Sequence, residues 1–255
     1  MIQFWSSHAG VIIFVMCVVF LATLIRSALG FGEALIAVPL LVMRIPLETA
    51  AALAVLVSIT IAALIVVQDW RQVHARSAGW LLLSTLFGIP LGLMLLMNPH
   101  QKAVKLILAL VILCFAIYSL ALADQARLKS DSKAWLLTCG FVAGILGGAY
   151  GMNGPPLAIY GTMRGWSPQH FRATLQGYFL PASILGMLGY LWKGLWNHEL
   201  AYFYLLTLPV TIPAIWLGRI ANHKLPVQKF RTFVYVGLIV IGLVLALQTF
   251  YFVRS

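Results

Sequence analysis

Gly147-Gly-Ala-Tyr-Gly-Met-Asn-Gly-Pro-Pro156 breaks an apolar stretch, and Arg26-Ser-Ala-Leu-Gly-Phe-Gly-Glu-Ala-Leu-Ile-Ala-Val-Pro39 breaks another about 120 residues earlier. Each break follows an apolar segment and leads into an unusually short one. Backbone in hydrocarbon must satisfy its own hydrogen bonds, so a broken helix survives only when buried in protein or lining a wet cavity. Interrupted segments at matching places in two halves point to the binding site of a secondary transporter.

The rest of the chain fits that setting. Its 255 residues are 62% hydrophobic and 9% charged, against roughly 25% charged in soluble domains. Mean hydropathy is +0.97. Apolar runs near the 20 or so residues of a bilayer span fill most of the length. They are continuous where barrel strands would alternate. The expectation is an all-α integral membrane protein with about 8–10 transmembrane segments, embedded in the lipid bilayer of the cell inner membrane. Met1–His8 has no basic stretch and no cleavage site follows, so 10–25 is expected to be a retained span and not a signal peptide.

Ten apolar segments are predicted, over about 9–25, 34–43, 49–67, 79–97, 103–123, 134–150, 154–163, 172–193, 200–217 and 232–250. The second and seventh reach about 15 Å as helix, half the hydrocarbon thickness. The halves echo each other: Met43-Arg44 answers Met163-Arg164, and Ile89-Pro90 answers Ile212-Pro213. The pattern predicts two inverted five-segment repeats, 1–124 and 134–255, joined by a charged cytoplasmic linker, 125–133. Ten crossings put 12 Lys and Arg on one face and 5 on the other. Re-entrant short segments would make it 10 against 7. The positive-inside rule favours the former, with both termini outside.

The net charge of +11 does not point to nucleic acid, because the basic residues sit in connections between apolar segments and form no soluble patch. Cys17, Cys114 and Cys139 stand singly in apolar segments and read as small buried apolar residues. The six histidines fall in connections or near the N-terminus. No metal-ligand spacing, phosphate loop or nucleophile–base set is present. The chain is expected to be no enzyme and to need no cofactor. Trp70, Trp80, Trp135, Trp166, Trp192 and Trp196 stand near segment ends as interface anchors.

The chemistry concentrates at the breaks. Gly30, Gly32, Gly151 and Gly154 permit backbone angles that other residues avoid. Pro155 and Pro156 suit the first turn of a new helix. Helices starting inside the membrane would aim their free N–H groups at an anion; close small-residue packing is the alternative. Of six acidic residues only Glu33 lies in a break. It is a candidate proton carrier, or else a carboxylate paired with Arg26 or capping the short helix. Its counterpart is Asn153 or a neighbour, able to bond a substrate oxygen or cap the break. Arg172, Thr174 and Gln176 open the eighth segment, with 172 and 176 on one helical face. Arg172 suits an oxyanion, or snorkels to the interface. Ser58 and Thr60 are weaker candidates, since helical hydroxyls usually bond their own backbone.

Gly147–Tyr160 with Phe171-Arg-Ala-Thr-Leu175, and more loosely Gly30–Leu41 with Ala50–Ser58, resemble the sulfite exporter TauE/SafE family. The resemblance implies a permease for a small sulfur-containing anion such as sulfite or an organosulfonate. Gly-Phe-Gly-Glu33 stands where the family has a run of glycines, which raises proton coupling or a different substrate. A carrier for another small anion, such as a carboxylate, is the alternative; a non-transport membrane partner is another.

Overall fold

The computed structural model describes residues 2–69, 75–121, 133–164, 168–224 and 227–251. Ten helices run through them: α1 (Ile2–Leu29), α2 (Glu33–Leu41), α3 (Leu47–Asp69), α4 (Ala75–Leu96), α5 (Gln101–Ala121), α6 (Lys133–Tyr150), α7 (Gly154–Met163), α8 (Pro168–Trp192), α9 (His198–Lys224) and α10 (Val227–Tyr251). No strand occurs among the described residues. Each predicted segment coincides with one helix, and the short pair stays short, at nine residues for α2 and ten for α7. The expected linker lies almost wholly outside the described residues.

Among the described residues, six helices are long and apolar enough to cross a membrane: α1, α3, α4, α5, α6 and α9. Polarity is distributed for a lipid solvent. Phe87, Met94, Leu205 and Ile212 are exposed on the outside, while Arg26, Glu33, Thr174 and Gln176 are buried. Lipid is as apolar as leucine, so close backbone approach and internal hydrogen bonds take over the role of hydrophobic burial between helices. The α4–α6 contact shows this. A Cβ on Gly88 of α4 would run into the Phe141 carbonyl, and one on Gly144 of α6 into the Thr85 carbonyl. The Thr85 hydroxyl, between the helices, donates to the Gly140 carbonyl at 2.9 Å. Cys139 is buried as expected, whereas Cys17 and Cys114 are exposed on the outside. A thiol is apolar enough for either setting.

The packing pattern repeats with an offset of five helices. α4 packs on α6, and α1 on α9; α4 also meets α8, and α3 meets α9. α1 packs on α2 as α6 does on α7. α3 and α8 pack on each other, as do α5 and α10. The two breaks meet in this core: a Cβ on Gly154 would lie 3.6 Å from the Cβ of Phe31.

Candidate functional site

α1 ends where Gly30 turns left-handed, at φ 89°, and Gly32 repeats the turn at φ 102° before α2 begins. α6 ends at Gly151, φ 66°. Glycine takes these angles without the Cβ clash that other residues incur. The interrupted backbone is answered by side chains from α8. Gln176 Nε2 donates to the Gly30 carbonyl at 2.8 Å. The Tyr190 hydroxyl lies 3.0 Å from the Gly148 carbonyl and 3.2 Å from that of Gly147. The bonds to Gly30 and Gly148 satisfy carbonyls that a broken helix leaves open, whereas the Gly147 carbonyl also accepts the Gly151 N–H at 2.9 Å.

Arg26, one turn before the first break, is the hub. Its Nη1 lies 2.5 Å from Glu33 Oε2 in a salt bridge whose side chains are only 4% and 3% exposed. The same Nη1 reaches Ser58 Oγ on α3 at 2.7 Å, and Nη2 donates to Gln176 Oε1 on α8 at 3.0 Å. Ser58 Oγ continues to Ser183 Oγ on α8 at 3.0 Å. The guanidinium stands 4.9 Å from the centre of the Phe179 ring, a cation–π distance. The fork of the guanidinium suits it to several partners at once. Among the described residues, Arg26 Nε, Glu33 Oε1, Asn153 Oδ1 and Thr174 Oγ1 are buried polar atoms without a hydrogen-bond partner.

A cavity of about 20 Å³ opens beside this network, bounded by Arg26, Glu33, Ser58 and Phe179 and by both breaks, Phe31–Gly32 and Gly151–Pro155. A volume of that measure admits about one water molecule. The first turns of α2 and α7 face it through Glu33, Ala34, Leu35, Gly154 and Pro155. The two helix ends are not equivalent. Pro155 and Pro156 remove two N–H groups from α7, whereas α2 keeps all of its first-turn donors. α2 therefore has more first-turn N–H groups than α7, beside Arg26.

Charge is unequal too. Counted from the glycine that ends each preceding helix, Gly30 or Gly151, Arg26 is matched by Gly147 and Glu33 by Gly154. The second break thus carries no charge, and Asn153 Oδ1 occupies the space that a Cβ on Gly147 would need.

Of the residues singled out from sequence, Gly32, Glu33, Gly151, Asn153 and Gly154 line the cavity. Gly30 and Gln176 stand one bond behind it. Thr174 is fully buried on α8 without lining it. Arg172 lies in α8, but its side chain is outside the described residues. Glu33 makes the pair with Arg26 that was one of its two readings. Sequence reasoning offered Arg26 as a partner of Glu33 but missed it as the hub, counting it with the cations of one membrane face, although it is the basic residue nearest either break. It also missed Phe179 and Ser183, and undervalued Ser58, whose hydroxyl bonds side chains across helices. Thr60 bonds the Leu56 carbonyl at 3.2 Å as expected, and also the Tyr204 hydroxyl at 2.7 Å. Among the described residues no group of three His, Cys, Asp or Glu side chains is placed to hold a metal.

Residues 15–245 match the model of the family described as sulfite exporter TauE/SafE. A similar protein is the probable sulfite/organosulfonate exporter TauE of Cupriavidus necator, 28% identical over 151 residues. That stretch takes in 59% of this chain and 58% of the relative. No solved structure matches.

Proposed function

The chain belongs to the sulfite exporter TauE/SafE family, and we propose that it is a secondary transporter whose cargo, a small sulfur-containing anion such as sulfite or an organosulfonate, binds between the two breaks. The observation that carries this reading is the convergence of a fully buried arginine, the N-terminus of α2 and both breaks on one cavity. Buried arginine is costly in a membrane protein and belongs on a substrate path. Its planar fork matches the oxygens of a sulfonate or sulfite. The name of the relative supports the same cargo.

The offset packing pattern supports two five-helix repeats, 1–124 and 134–255, of inverted topology. One repeat rocking against the other would expose the site to each side in turn. The water-sized cavity fits a closed state, from which α2 or α7 moves to admit cargo. Asn153 and the first turn of α2 line the same cavity as Arg26 and offer N–H groups for the anion's oxygens. No reaction is assigned to the site, and protons are the coupling ion that Glu33 suggests.

A second reading has its own support. Glu33 already places a carboxylate on Arg26, so the guanidinium accepts a carboxylate as readily as a sulfonate, and a small carboxylate is the alternative cargo. Uptake or release of radiolabelled methanesulfonate and acetate by proteoliposomes containing only this chain separates them. Saturable methanesulfonate flux unaffected by acetate supports the first reading. Acetate flux alone supports the second, and no flux of either overturns both.

A further inference from the structure

We propose that Glu33 is a tethered stand-in for the cargo: it occupies Arg26 when the site is unloaded, and a monovalent anion takes its place only as Glu33 gains a proton. This deepens the proposed function and rests on it.

The geometry is that of a bound anion. Glu33 Oε2 sits on Arg26 Nη1, at the first turn of α2, where an external oxyanion would be held. Its other oxygen, Oε1, is buried without a hydrogen-bond partner, as is Arg26 Nε. The carboxylate is therefore held on one side only, and the guanidinium keeps one unused donor, Nε. A buried ion pair is stable when further hydrogen bonds satisfy its remaining atoms; this one leaves one atom of each partner unsatisfied.

The charges dictate the exchange. α2 packs against α1, α3, α5 and α10. Among the described residues, α1 supplies Arg26 as the charged group acting on Glu33. α3 supplies Ser58, which has no charge. α5 and α10 reach the break through Phe115, edge-on to Phe31, and through Tyr235, edge-on to Phe115. From α8 come Gln176 and Phe179. The unloaded site is thus neutral, Arg26 balancing Glu33. A monoanion added to the ionised pair would bury an excess negative charge in a low-dielectric interior. If the anion takes the place of the carboxylate on Arg26, and Glu33 takes up one proton, the site is neutral again. One proton then accompanies each monoanion, and a dianion leaves the site charged. The device therefore favours hydrogen sulfite and monosulfonates over sulfate.

Methanesulfonate binding to the purified full chain, measured by calorimetry from pH 5 to 8, tests this with Glu33→Gln beside the natural protein. Affinity of the natural protein should fall about tenfold per pH unit once Glu33 is ionised, the signature of one linked proton. Glu33→Gln should bind at least as tightly as the natural protein at pH 5 and show no slope. A natural protein that binds methanesulfonate with no slope, or a Glu33→Gln protein that keeps the slope, overturns the stand-in while the anion site stands. Absence of binding at every pH overturns both. Proteoliposomes of the natural protein with a trapped pH dye give a measurement free of any folding defect. One proton per methanesulfonate supports the exchange; flux without proton movement refutes it.

Discussion

Arg26 of α1 donates a 3.0 Å hydrogen bond to Gln176 of α8, 150 residues away, and the amide of Gln176 returns a 2.8 Å bond to the Gly30 carbonyl, one turn beyond Arg26. One second-half side chain thus holds both the cation of the first break and the backbone that turns beside it. Replacement of Gln176 by Leu leaves the Nη2 of Arg26 and the Gly30 carbonyl without these bonds, each a loss of about 1–3 kcal/mol. The expected outcome is a lower melting temperature in detergent together with weaker anion binding, measured on the same preparation. Unchanged values for both would remove Gln176 from the site.

The two glycines of the second break should respond differently to a side chain. At Gly151, φ is 66° and a Cβ would lie 3.1 Å from Val55 Cγ2 and 3.2 Å from the Ala51 carbonyl. Gly151→Ala should therefore lower stability by about 1–2 kcal/mol through left-handed strain alone. At Gly154 a Cβ finds ordinary contacts, 3.6 Å to Phe31 and 3.8 Å to Phe179. Gly154→Leu brings more volume than the water-sized cavity holds, so it should cost about 1–3 kcal/mol by overpacking, without left-handed strain, and abolish anion binding. Membrane yield and calorimetry on the two variants check the contrast.

A double-mutant cycle separates the stability of the ion pair from its use. Arg26→Gln strands a buried carboxylate and should cost about 3–5 kcal/mol. Adding Glu33→Gln removes the stranded charge, so the double variant should recover most of that loss. Anion binding should stay absent in it, because the cation is gone. Thermal unfolding in detergent gives the coupling energy, and recovery of binding in the double variant would contradict the role given to Arg26.

The α4–α6 contact makes a purely structural prediction. Gly88 faces backbone, the Phe141 carbonyl and the Ile145 nitrogen, which cannot swing aside as a side chain can. Gly88→Leu should push the helices apart and cut membrane yield severalfold, whereas leucine at Gly186, where a Cβ meets nothing within 4 Å, should leave yield unchanged.

Much of this was legible in sequence because its information is local. The ten segments follow from apolar run length, and the short α2 and α7 follow from glycines and prolines at fixed places. Glu33 stood out as the one acid in a break. Arg26 did not, because an arginine at the end of an apolar run looks the same whether it reaches water or turns inward. What turns it inward lies elsewhere in the chain: Ser58, 32 residues on, and Gln176, 150 residues on. Ser58 was undervalued for the same reason. A helical hydroxyl bonds its own backbone unless a neighbour offers something better, and here the neighbours are Arg26 and Ser183.

Thermal stabilisation of the purified chain by sulfite, methanesulfonate, taurine, sulfate and acetate, read beside Gly154→Leu, tests the anion site most directly. A ligand that binds only the folded state raises apparent stability, by about 2.7 kcal/mol at a hundredfold excess over Kd. An anion site between the two breaks predicts a rise with sulfite or methanesulfonate in the natural protein and none in Gly154→Leu. No rise with any anion, or the same rise in both proteins, would contradict an anion site between the two breaks.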